Sequence, residues 1–168
     1  MQALLRVILS KAASVALLVA GALFVQNAGA EKIWNWIYRG GNIVASGTFT
    51  TSENVDSLGF YQITRIAGHR NGDPIKGLHP AGSVIPGNEP HTLDNLIRVD
   101  TQGQITAHGF GFVTASGNYA NTFYSDCHEI PVYVEVFTTV STFSELPVTF
   151  VATPVTEPEI NVELPAGQ

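Results

Sequence analysis

The sequence predicts an all-β domain: an antiparallel sandwich or open barrel of about eight or nine strands, after an N-terminal signal peptide. Three observations carry this. Apolar and polar residues alternate with a period of two through most of the chain. Sixteen glycines and nine prolines among 168 residues punctuate the alternating runs. After the first thirty residues no stretch keeps a long 3.6-residue period, so helices are not expected.

The opening "MQALLRVILSKAASVALLVAGALFVQNAGA" stands apart from this pattern. Arg6 and Lys11 precede an almost wholly apolar run, residues 12 to 25, and Ala28-Gly29-Ala30 has the small-x-small form of a cleavage site. The run is shorter than the roughly 20 residues of a membrane span, so residues 1–30 read as a secretory signal peptide. Removing them from 168 leaves 138 residues, enough for one core. The same removal takes two basic residues and no acid, so the formal charge moves from −6 to −8. An acidic chain without basic clusters repels phosphate backbones, which excludes nucleic acid as an expected partner. One cysteine, Cys127, allows no internal disulfide.

The strands follow in order. "IWNWIY" puts Trp34, Trp36 and Tyr38 on one face, and "RGGN" turns the chain into "IVASGTFTT". "GFYQITRIAGHR" alternates up to Asn71-Gly72, the strongest short hairpin signal because both residues tolerate positive φ. His69 and Arg70, neighbours on that strand, point to opposite faces and cannot act as a pair by themselves. "LDNLIRVD" and "QITAHGFGFVTA" flank "TQG" as a hairpin, and "SGN" leads into "YANTFYS". "PVYVEVFTTVSTF" is the longest strand-like run, with Val132, Val134 and Val136 opposite Tyr133, Glu135 and Phe137. "LPVTFVATPV" closes the β domain, taken as residues 31–155. Residues 156–168, rich in Pro and Glu, are expected to form an extended acidic tail.

The longest connection, residues 77–95, holds Asn88, Glu89, His91, Asp94 and Asn95 as oxygen or imidazole donors. Long ordered loops often carry function. Its spacing matches neither a calcium loop nor a zinc helix, and Asp94 and Asn95 can equally cap or turn the backbone. "SDCHEI" sets Cys127 beside His128, but neighbours on a strand face opposite ways, which argues against a thiol catalytic pair. No nucleophile elbow, phosphate loop or histidine metal motif is present. In "GFGF", Phe110 and Phe112 share one face and Gly109 and Gly111 the other, where a packed group can approach closely. The Trp34–Trp36–Tyr38 stripe is a platform for stacking sugar rings if exposed, and core if buried.

"ASGTFTT", "GFYQITRIAGHRNGDPIKGL", "DNLI", "GFGF" and "YANTFY", spanning about residues 36 to 124, resemble a family of exported, β-rich bacterial proteins common in cyanobacteria. Many of its members carry a PEP-CTERM surface-sorting tail. The resemblance implies an exported domain and assigns no catalytic residue. The end of this chain departs from the sorting pattern, lacking the apolar helix and basic cluster, so free secretion is expected.

The sequence therefore reads as an exported, non-enzymatic β domain, secreted and without a stable membrane anchor. It is expected to serve as an extracellular structural or ligand-binding module, with a glycan or a matrix component as partner. Candidate ligand contacts are Trp34, Trp36, Tyr38, His91 and Asp94. No catalytic residue, metal or cofactor is expected. The alternative is a small-barrel hydrolase or isomerase whose pocket gathers His69, His91, Asp94 and His128.

Overall fold

The computed structural model describes residues 31–100, 103–127 and 132–156. The signal peptide, His128, and the tail beyond residue 156 lie outside the described residues. Nine antiparallel strands are described: β1 (Lys32–Gly40), β2 (Ile43–Val55), β3 (Tyr61–Arg70), β4 (Asp73–Leu78), β5 (Leu96–Ile97), β6 (Phe110–Thr114), β7 (Tyr119–Ser125), β8 (Val132–Thr138) and β9 (Phe143–Pro154). Eight of them close on themselves in the order β1-β2-β3-β4-β6-β7-β8-β9, with β9 returning to pair with β1. The short β5 pairs with the outer end of β3. Of the two expected architectures the chain adopts the barrel, and it is closed: closure leaves none of the eight with an unpaired long edge.

Alternation sets the interior. On β1, Trp34, Trp36 and Tyr38 are buried while Ile33, Asn35 and Arg39 are exposed. Ile43, Ala45 and Phe49 of β2, Phe110 and Phe112 of β6, and Val148, Phe150 and Ala152 of β9 join the same core. Rings fill its centre: Trp36 stacks on Phe49 at 5.2 Å, and Phe49 meets Phe110 edge-on at 4.9 Å. Asn71 (φ 48°) and Gly72 (φ 84°) form the β3–β4 turn with the positive φ pair that the sequence implied. The Asn71 side chain also accepts a hydrogen bond from Val44 N at 2.8 Å, tying the turn to β2.

Two strand expectations need correction. "LDNLIRVD" and "QITAHGFGFVTA" shrink to Leu96–Ile97 and Phe110–Thr114. Asn95 and Gly109 take positive φ, and Asp94 and Thr106 bind local backbone N–H groups, so the chain turns where alternation alone suggests extension. "PVYVEVFTTVSTF" is not one strand. β8 ends at Thr138, and Thr139 Oγ1 accepts from Ser141 N and Thr142 N to make a turn before β9.

Candidate functional site

Among the described residues, two places combine chemistry-bearing side chains, one inside the barrel and one outside it.

Inside, the face of β8 that carries Tyr133 and Phe137 also carries Glu135, which is fully buried. Arg70, the last residue of β3, reaches it with two parallel bonds: Nε donates to Oε1 at 2.7 Å and Nη2 donates to Oε2 at 2.8 Å. The Tyr38 hydroxyl donates to Oε1 as well. Arg70 lies over the Phe137 ring, with Cζ 3.5 Å from the centroid. Burial, then the neighbouring Glu135 charge, pushes the Tyr38 phenol well above its ordinary range. Burial works against the Arg70 charge, but hydrogen bonding and attraction from Glu135 outweigh it and hold the guanidinium more firmly protonated. The acid, the base and the phenol satisfy one another, which is what burying a charge pair requires. Glu135 is no free general base in this arrangement, and Tyr38 is a neutral donor.

Outside, the long loop acts as a strap. Residues 79–95 cross the outer face of β6, β7 and β8 and are held by ordered bonds. Gly82 N donates to Leu93 O and Leu93 N to Ser83 O, while Asn95 Nδ2 donates to His79 O at 2.8 Å. Ile85 and Leu93 bury themselves against Val136, Tyr119 and Phe123, making a second small core outside the barrel. Gly111 permits this, because a Cβ there would overlap Leu93 Cδ1 and sit 3.2 Å from Ile85 Cγ2.

Beside this second core lies a cleft of about 280 Å³. Asn88 and His91 of the strap line it together with Asn121, Phe123 and Ser125 of β7 and Val136 of β8. Asp126, Cys127 and Glu145 border it as exposed residues. Two polar atoms on its lining residues stand out. Asn88 Nδ2 and Asn121 Oδ1 are buried, and among the described residues neither has a hydrogen-bond partner. A donor and an acceptor are thus left unmatched on two residues that line one cleft. Four other buried polar atoms among the described residues, on Trp36, Thr114, Thr122 and Thr138, share this condition, but none of those residues lines the cleft.

The sequence-based candidates are scattered by the structure. Trp34, Trp36 and Tyr38 are interior (0%, 2% and 0% exposed), so the stripe is core and offers no exposed face for stacking sugars. Asp94 does not line the cleft. It is half-buried, it accepts from Thr106 Oγ1 at 2.6 Å and Leu96 N at 3.3 Å, and burial raises its carboxyl above the usual range. Its work is to hold the turn before β5. His91 alone of the five lines the cleft. His69 is exposed on β3 and is not among the cleft-lining residues. Among the described residues, no three of His, Cys, Asp and Glu are grouped as a metal would need. Sequence reasoning passed over Asn121 and Phe123. The available signal was an asparagine sharing the outward face of "YANTFYS" with Tyr119 and Phe123, in a protein whose alternation marks that face as solvent. No family model, no curated protein and no solved structure matches this chain.

Proposed function

We propose that the chain is an exported, non-enzymatic binding module that works outside the cytoplasm and takes a small, uncharged, polar ligand such as a sugar in the cleft beside the strap. The observation that carries this reading is an unmatched donor on Asn88 and an unmatched acceptor on Asn121, two residues that line one concavity. A ligand that supplies both partners relieves two buried, unsatisfied groups at once. The acidic surroundings, with Asp126 and Glu145 at the border, disfavour anionic ligands. Phe123 and Val136 give the cleft an apolar side, the usual companion of a few convergent polar groups.

The enzyme alternative rests on the Tyr38–Glu135–Arg70 cluster or on convergent histidines. The cluster spends its groups on itself, and of His69, His91 and Asp94 only His91 lines the cleft. Both facts favour the binding module.

A glycan array probed with the full chain tests this, with Asn121→Leu as the comparison. The reading expects a restricted set of neutral glycans to be bound and that signal to be lost in Asn121→Leu at unchanged thermal midpoint. Uniform silence, or binding indifferent to Asn121→Leu, contradicts it. Fractionating cells and medium tests export: recovery only in washed membranes, released by detergent and not by salt, contradicts secretion.

A further inference from the structure

The cleft's ligand class can be named from its chemistry, an inference that rests on the binding reading above. Asn88 is 6% exposed and Asn121 is 1% exposed, and their free atoms are not bonded to each other. One offers N–H and the other offers C=O. We propose that this pair receives the N-acetyl group of a neutral amino sugar.

A secondary amide carries one acceptor and one donor fixed in one plane. Its carbonyl accepts from Asn88 Nδ2 and its N–H donates to Asn121 Oδ1. The acetyl methyl then needs apolar contact, and Phe123 and Val136 line the same cleft. The other ligand chemistries fit less well. A carboxylate brings acceptors only, leaves Asn121 unmatched, and meets the charges of Asp126 and Glu145. A protonated amine brings donors only and leaves Asn88 unmatched. A plain hydroxyl can match both atoms but has no methyl for the apolar side. The cleft's 280 Å³ lies at the small end of ligand sites, which suits one sugar ring rather than a chain. His91, Ser125, Asp126 and Glu145 supply acceptors and donors suited to ring hydroxyls. A peptide also holds secondary amides, but it has no such array of hydroxyls, and the sugar is therefore favoured.

Calorimetric titration of the full chain with four probes decides this: N-acetylglucosamine, glucosamine, glucose and N-acetylglycine N-methylamide. The inference expects N-acetylglucosamine to bind at least about tenfold tighter than glucose or glucosamine, since a site built for a polar group rejects the analogue that lacks it. Ligand-observed NMR should show the strongest saturation transfer at the acetyl methyl. Asn88→Leu and Asn121→Leu should each weaken binding at least about tenfold at unchanged thermal midpoint. His69→Ala, on the outside of β3, should leave it unchanged. Equal affinity for glucose overturns the N-acetyl assignment and leaves the binding cleft standing. Binding of the peptide amide in place of the sugars does the same. If none of the four binds, the N-acetyl assignment falls; a broad small-molecule screen then separates the two readings, because a hit lost in Asn121→Leu keeps the cleft and no such hit removes it.

Discussion

Arg70 and Glu135, on β3 and β8 and 65 residues apart in sequence, are joined inside the barrel by two parallel hydrogen bonds of 2.7 and 2.8 Å. Tyr38 of β1 binds the same carboxylate, so three strands from different parts of the closed sheet meet at one acid. This cluster is a fastener for barrel closure. Truncating either partner leaves the other charge buried and unmatched. Arg70→Ala and Glu135→Ala should each cost about 3–5 kcal/mol in urea denaturation. The triple change Tyr38→Phe, Arg70→Met, Glu135→Leu should restore most of that loss, because apolar groups of similar volume replace the network. If the single variants unfold no more easily than the parent, the cluster is not a fastener.

Stability should fall at alkaline pH, and Tyr38 gives the sign. Its phenol is raised in the folded chain, so above about pH 10 unfolded tyrosine ionises while Tyr38 keeps its proton. The unfolded state then binds fewer protons, and stability declines as pH rises, by up to about 1.4 kcal/mol per pH unit for each such group. Half-buried Tyr133, raised by desolvation, acts in the same direction. Tyr38→Phe should flatten the alkaline decline while lowering stability near neutral pH by roughly 1–3 kcal/mol, the worth of one hydrogen bond to a charged group. Denaturation midpoints at pH 7 and pH 10.5 measure both effects. An unchanged alkaline slope in the variant would count against the assignment.

The β3–β4 turn separates backbone conformation from contact. At Gly72 a Cβ would meet nothing within 4 Å, so Gly72→Val tests only its φ of 84°, at a cost of roughly 1–2 kcal/mol. Asn71→Ala loses positive-φ tolerance and also the bond to Val44 N, and should cost more than Gly72→Val. Ligand binding per folded molecule should not change in either variant. Binding lost with the fold intact would make the turn part of a site.

The barrel was legible in the sequence where alternation is local and was hidden where contacts are long-range. Trp34-x-Trp36-x-Tyr38 announces a strand face, and Asn71-Gly72 announces its turn, because both signals act over a few residues. Whether that aromatic face is core depends on β9 returning to β1, which no local pattern encodes. Glu135 was visible as an acid on the face of Tyr133 and Phe137. Its partners Arg70 and Tyr38 lie 65 and 97 residues away, so their convergence was not visible. The cleft was half legible: the strap, with Asn88 and His91, stands out as the longest loop. Its floor, Asn121 and Phe123, reads as ordinary strand until the strap is seen to lie over β6 to β8.

Gly111 should control the strap. In Gly111→Ala the new Cβ overlaps Leu93 Cδ1, and the strap must lift or the side chains must leave their rotamers. Overpacking of this kind costs about 1–3 kcal/mol. The variant should be cut faster by proteases within residues 79–95 than the parent while the barrel core stays resistant. Cleavage at the parent's rate would show that the strap is not seated through this glycine.

The most direct test of the cleft is an amide NMR titration of the isotope-labelled full chain with N-acetylglucosamine. The account predicts shifts in the side-chain amides of Asn88 and Asn121 and in the backbone amides around Asn121–Ser125, with the indole N–H signals of Trp34 and Trp36 unmoved. Shifts centred instead on Trp36, Tyr38 and Arg70, with the cleft signals silent, would place the site inside the barrel and contradict the account.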